Sequence, residues 1–186
     1  MAFVTNVSGN VISYCDAADI KDKDQRVFES NEINFSDAPT TPTSLDEYLE
    51  DLSIKAFARI NEKVRASAKW RSYLGYTGST TLTGNTIPPI NADRIVGRQA
   101  DWSDLSTYYV LKEYLLPKVA DFGDELNSEV QKITYYSSKF EDLFDELLDM
   151  MDWYDAEGDG LTEADKMVSF RTNRRSRSKR NITRVR

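Results

Sequence analysis

Between Ser44 and Val64 the apolar residues Leu45, Tyr48, Leu49, Leu52, Ala56, Phe57, Ile60 and Val64 recur at three- and four-residue steps. That spacing puts them on one face of a helix of about twenty residues. Ser44 stands three residues before Glu47, the spacing at which a hydroxyl caps the first turn. "AKWRSYLGY" extends or closes this helix, and Gly75 is its expected stop. A second helix is expected from Asp101, where "DWSD" offers an N-cap, and Pro117 should kink or end it. A third runs from about Gly123 to Trp153. Its seam is Leu126, Val130, Ile133, Ser137, Phe140, Phe144, Leu147 and Met151, alternating steps of four and three, with Leu143 and Leu148 broadening it. Such a seam serves as a bundle core or as a contact between subunits.

Between these helices the pattern lapses. Residues 1–43 are polar and irregular, with one short helix expected around Ile20, Val27 and Phe28, followed by "SDAPTTPTS" as a linker or turn. Gly75 to Asn91 is rich in Gly, Thr and Pro. It reads as a protruding loop or small hairpin, serving either as plain surface or as a contact arm through Tyr76, Thr80, Leu82 and Ile87. The expected fold is therefore mainly α, a bundle of two to three long helices. An extended N-terminal segment (1–43) leads into a helical body (44–154) with the loop 75–91 protruding. A hinge (155–165) and a C-terminal arm (166–186) follow.

Composition sharpens this at one point. The 186 residues carry a net charge of −7, but the charge is divided. Nine of the 24 basic residues lie from Lys166 onward, and all 31 acids lie at or before Asp165. The other 15 basic residues leave the body at −16. An acidic body thus carries a basic arm. Within the arm, Arg171, Arg174, Arg175, Arg177, Lys179, Arg180, Arg184 and Arg186 are the candidate docking residues. Ile182 and Val185 stand among its last arginines, as apolar residues of a β-strand added to another protein would. Three readings compete for the arm: phosphate binding, docking on an acidic protein surface, or a solvated tail. A pure nucleic-acid tail does not need Ile182 and Val185, which favours docking on protein.

The candidate chemistry is thin. The chain has no His, which excludes His-based triads and zinc sites within one chain. Its single Cys15 has no partner for a disulfide, in keeping with an intracellular or virion setting. No apolar run reaches the roughly 18 residues that span a bilayer, and no membrane partner is expected. There is no phosphate-binding loop or dinucleotide turn, and no buried carboxylate pair is singled out, so neither an enzyme nor a cofactor is expected. "DAEGDGLTEADK" resembles a calcium loop, with Asp155, Glu157 and Asp159 as candidate ligands and Gly160 at the turn. Lys166, however, stands where the bidentate Glu belongs. The competing reading is a cap in which Gly158 or Gly160 ends the third helix and Thr162 starts a new turn.

The segments "DAADIKDKDQRVFESNE", "LEDLSIKAFARINEKV" and "DWSDLSTYYVLKEYLLPKV", with the loop and arm, give a layout that resembles the head–tail connector (adaptor or neck) proteins of tailed bacteriophages. The resemblance implies a homo-oligomeric, dodecameric ring beneath the capsid portal, at the head–tail junction of a virion assembled in the host cytoplasm. It implies an arm that docks on the portal protein, a downstream neck or tail protein as second partner, and DNA passing through the channel without specific binding. A body at −16 fits a channel wall that does not grip phosphate. The alternative is an accessory nucleic-acid-binding protein with a helical oligomerisation body and an Arg/Ser-rich tail.

Overall fold

The computed structural model describes residues 3–29, 44–77, 87, 89–123 and 127–162, with the side chains of 76 and 77 left aside. The fold is mainly α, as the pattern predicts. The linker at 36–43, Leu126, the loop residues 78–86 and 88, and the chain from 163 on lie outside the described residues.

Helix α3 spans Leu45–Ala66 and is capped as the sequence implies, with the Ser44 side chain accepting from the Glu47 N–H at 3.2 Å. Its predicted face is its buried face: Tyr48, Leu49, Leu52, Ala56, Ile60 and Val64 are buried, with Leu45 and Phe57 partly so. Each large side chain so buried contributes roughly 1.5–3 kcal/mol. After the break at Ser67, helix α4 runs Ala68–Thr77 straight through Gly75, which is therefore not the stop. A single glycine costs about 1 kcal/mol in a helix, too little to end one by itself.

Helix α5 spans Gln99–Val110 and is the central element, packed against both α3 and α7. It begins two residues before the predicted Asp101. Its N-cap is Arg98, held left-handed at φ 53° with no side-chain cap bond. Asp101 instead sits in the first turn, where it accepts from Arg98 Nε at 2.5 Å and complements the helix dipole. Before Pro117 the helix loosens into a π-turn over Leu111–Leu115, with the Leu116 N–H reaching back to the Leu111 carbonyl. Pro117 lacks an N–H and its ring crowds the carbonyl four residues earlier. The wider turn accommodates both, and the short helix α6, Leu116–Val119, closes the run.

Helix α7 spans Ser128–Met150, shorter at both ends than expected, and starts at Asn127, whose side chain accepts from the Glu129 N–H. Of the predicted seam, Phe140 and Leu147 are buried, whereas Val130, Ile133, Ser137 and Phe144 are half-buried. Tyr136 and Leu148 complete the buried set. The helix ends at Met151, left-handed at φ 48°. Gly158 and Gly160 have positive φ as expected but do not cap α7; they lie in the loop beyond it. The Leu147 carbonyl, left open at the helix end, accepts both the Met151 N–H at 3.1 Å and the Trp153 indole N–H at 2.7 Å.

Residues 3–29 are not an extended segment. Strands β1 (Val4–Thr5) and β2 (Val11–Ser13) pair antiparallel, and α1 (Ala17–Lys23) and α2 (Gln25–Glu29) follow. Helix α1 has a full capping box between Asp16 and Asp19. It packs on α3 and α5 through Ile20, which is fully buried. Tyr14 is buried against Trp102 and Phe57, and its hydroxyl donates to Asn61 Oδ1 at 2.6 Å. Farther along, Asp24 accepts from Lys132 at 3.0 Å, tying this region to α7. The core thus draws on elements from the start of the chain to Ala156. At its centre Trp153 stacks on Trp70 (5.6 Å between centroids) and meets Trp102 edge-on (4.6 Å).

Candidate interaction surfaces

The first surface is the base of the C-terminal segment. Ile95 and Tyr154 form an isolated antiparallel bridge, and around it two chain segments exchange backbone bonds. The Val96 and Gly97 N–H groups donate to the Trp153 carbonyl, and the Asp155 N–H donates to the Arg94 carbonyl at 2.9 Å. The Arg94 guanidinium reaches over to donate to the Ala156 carbonyl at 2.8 Å, and the Tyr73 hydroxyl donates to the Tyr154 carbonyl at 3.1 Å. Gly97 makes the approach possible, since a Cβ there would lie 2.6 Å from the Asp152 carbonyl oxygen.

Beyond this strap, Asp155 is 3% exposed. Its Oδ1 accepts the Glu157 and Gly158 N–H groups at 3.1 and 2.6 Å, and its Oδ2 accepts the Gly160 N–H at 2.7 Å. Burial pushes this carboxyl up, but the backbone N–H groups of Gly160, Gly158, Asp159 and Glu157 outweigh it and hold it below the ordinary range. Asp155 therefore acts as a staple for its own loop. Asp159 accepts the Leu161 N–H at 3.1 Å on the exposed side. Among the described residues no group of three or more acidic, His or Cys side chains is placed to hold a metal ion. The three candidate calcium ligands are thus close in sequence without converging. The last described residue, Thr162, is buried, so the segment that follows starts from a point fixed on the body.

The second surface is an open cavity of about 550 Å³ beside the π-turn, lined by Arg59, Glu62, Lys63 and Ala66 of α3 and by Tyr109, Glu113 and Tyr114. The α3 residues follow the i, i+3, i+4, i+7 rule for one face, so this groove wall is a helix stripe. Burial raises the Tyr109 hydroxyl to about 12, with Tyr114 and Glu113 adding to the rise. Burial also raises Tyr114, against the pull of Arg59. Both therefore stay neutral at physiological pH. Two ammonium groups share one pair of rings here. Lys112 lies 5.4 Å from the Tyr109 centroid and 4.7 Å from that of Phe140, and Lys63 lies 6.0 and 5.5 Å from the same two. The Lys112 side chain is only 9% exposed and pairs with Glu113 at 3.0 Å. Arg59 pairs with Glu62 at 3.1 Å on the exposed rim.

The third is the acidic C-terminal half of α7. Glu141, Asp142, Asp145, Glu146 and Asp149 are all exposed. Lys69 pairs with Asp149 and, more distantly, Asp145; Arg98 pairs with Glu146 and, at 3.8 Å, Asp152.

Of the residues singled out in the sequence, Ile87 is turned inward. It packs against the core, and its carbonyl accepts from Arg65 at 2.8 Å. Tyr76 falls within α4. Thr80, Leu82 and the arm residues Arg171, Arg174, Arg175, Arg177, Lys179, Arg180, Ile182, Arg184, Val185 and Arg186 lie outside the described residues. The groove was not anticipated. Its signal was the Arg59–Glu62–Lys63–Ala66 stripe, which reads as an ordinary solvated helix face until the π-turn brings Tyr114 alongside. No helix among the described residues is long and apolar enough to cross a membrane. The chain matches no family model, no curated protein and no solved structure.

Proposed function

We propose that the chain is a structural connector subunit. It assembles into a ring between a phage capsid portal and the tail or neck, and its basic C-terminal segment docks on an acidic surface of the portal protein. The observation that carries this reading is the division of charge at a fixed point of the fold. The acid-free segment with its nine basic residues starts at Lys166, four residues past the buried Thr162. Ahead of it the strap around Ile95 and Tyr154 and the Asp155 staple hold the chain to an acidic helical body. A ring repeats the docking contact, so modest affinity per subunit suffices. Arginine–carboxylate pairing supplies the affinity of the docking contact. The acidic body leaves passing DNA unbound.

The basic segment also supports a second reading, an accessory nucleic-acid-binding protein. The experiment that separates the two is a retardation assay with duplex DNA and RNA, beside imaging of the purified chain. The connector reading expects a ring and no arm-dependent shift. A shift that weakens steeply with salt and disappears on deletion of residues 167–186, from a protein that forms no ring, would overturn it.

A further inference from the structure

We infer that the groove between α3 and the π-turn receives the acidic C-terminal half of α7 from a second copy of the chain, and that this is the contact joining neighbouring subunits. The inference rests on the ring reading and names its interface.

Two features of one chain are each electrostatically incomplete. Lys63 lines the groove, and behind it the nearly buried Lys112 faces the same two rings, Tyr109 and Phe140. Like charges brought together this way raise the local potential and favour an incoming anion. Glu113 offsets Lys112 and Glu62 offsets Arg59. Among the described residues Lys63 makes no ion pair. The space in front of it, about 550 Å³, is large enough for side chains and has an aromatic wall of Tyr109 and Tyr114.

On α7 the imbalance is of opposite sign. Asp142 stands three and four residues before Asp145 and Glu146, and Glu141 stands four before Asp145. Each such like-charge pair weakens a helix. All lie toward the C-terminal, negative end of the dipole, and the last turn holds no basic residue. Lys69 and Arg98 relieve Asp145, Glu146 and Asp149. Glu141 and Asp142, both exposed, make no ion pair among the described residues.

Lys63 and the Glu141–Asp142 pair are thus complementary, and within one chain they form no ion pair with each other. Bodies at −16 repel one another, so association needs local relief of that charge, and Lys63, the lining cation with no ion pair among the described residues, supplies it. The partner of stated chemistry is therefore the chain itself. Carboxylates of one copy enter beside Lys63 and Arg59 of the next, with the tyrosine rings covering the helix flank.

The test is a charge exchange in the full-length chain, followed by mass photometry across a dilution series at low salt. Lys63→Glu is expected to raise the concentration for half-assembly by at least about tenfold. Glu141→Lys with Asp142→Lys is expected to do the same. The combination of all three should restore assembly to near wild type, which a mere loss of stability in either parent would not permit. Thermal melts of the four proteins check that each is folded. A ring that assembles alike in every variant, or a combination that fails to recover, overturns this contact and leaves the ring reading standing. A wild-type chain that stays monomeric at every concentration overturns both.

Discussion

Replacing Asp155 with Asn tests whether the carboxylate staples the C-terminal base or serves a metal ion. The substitution keeps the size of the side chain but removes the charge and turns one acceptor into a donor. In the structure both oxygens face backbone N–H groups, at 2.6 Å from Gly158, 2.7 Å from Gly160 and 3.1 Å from Glu157. An amide must aim its own N–H₂ at one of these donors. Bonds to a charged acceptor contribute about 1.5–3 kcal/mol each and neutral ones about 1. Because the loop can partly rehydrate, the net cost is set at about 3 kcal/mol. For a domain of this size that lowers Tm by roughly 6–12 °C.

The pH dependence carries a sign. The carboxyl is depressed in the folded state, so its contribution is fully present above the ordinary Asp value of 3.8 and is lost as pH falls through the lower folded value. Wild type and Asp155→Asn should therefore differ most near neutrality and converge in acid. Calorimetric melts between neutral and acidic pH, with calcium or chelator, read both effects. A loss under about 1 °C, or a wild-type Tm that rises with calcium while the variant's does not, would refute the staple and restore the metal reading.

Three further outcomes follow from the packing. Gly97→Ala puts a Cβ 2.6 Å from the Asp152 carbonyl and should cost about 1–3 kcal/mol in urea unfolding, as overpacking does. Lys132→Met leaves the buried Asp24 carboxylate with, among the described residues, the Tyr136 hydroxyl at 3.3 Å; a loss of about 1–3 kcal/mol is expected, and Asp24→Asn in the same background should recover part of it. Tyr14→Phe removes the 2.6 Å bond to Asn61 and should cost about 1–2 kcal/mol by the same unfolding assay.

The parts of this fold that were legible in the sequence are those written in local periodicity. The α3 face and its Ser44 cap follow from residues no more than four apart, and the structure has both. The parts that were not legible depend on distant partners. Strands β1 and β2 are two and three residues long, too short to show alternation. Tyr14 and Ile20 look ordinary in a polar stretch until α3 and α5 close over them. The strap joins Ile95 to Tyr154 across 58 intervening residues, and nothing local marks it except Gly97. At Asp101 the better cap residue lost to Arg98, whose guanidinium pairs with Asp101 and Glu146. Tertiary ion pairing there overrides local propensity. The calcium-like spacing is present in the letters, but the Asp155 oxygens accept from its own loop's backbone. The groove needed the π-turn, a response to Pro117 that periodicity does not forecast.

The proposed connector role depends on ring formation through the helical body. Negative-stain imaging of the purified full-length protein, with mass photometry of the same sample, tests it most directly. Closed rings of uniform subunit number with an open centre are expected. A monomer, or a small closed oligomer with no central opening whose basic segment retards DNA or RNA, would contradict it.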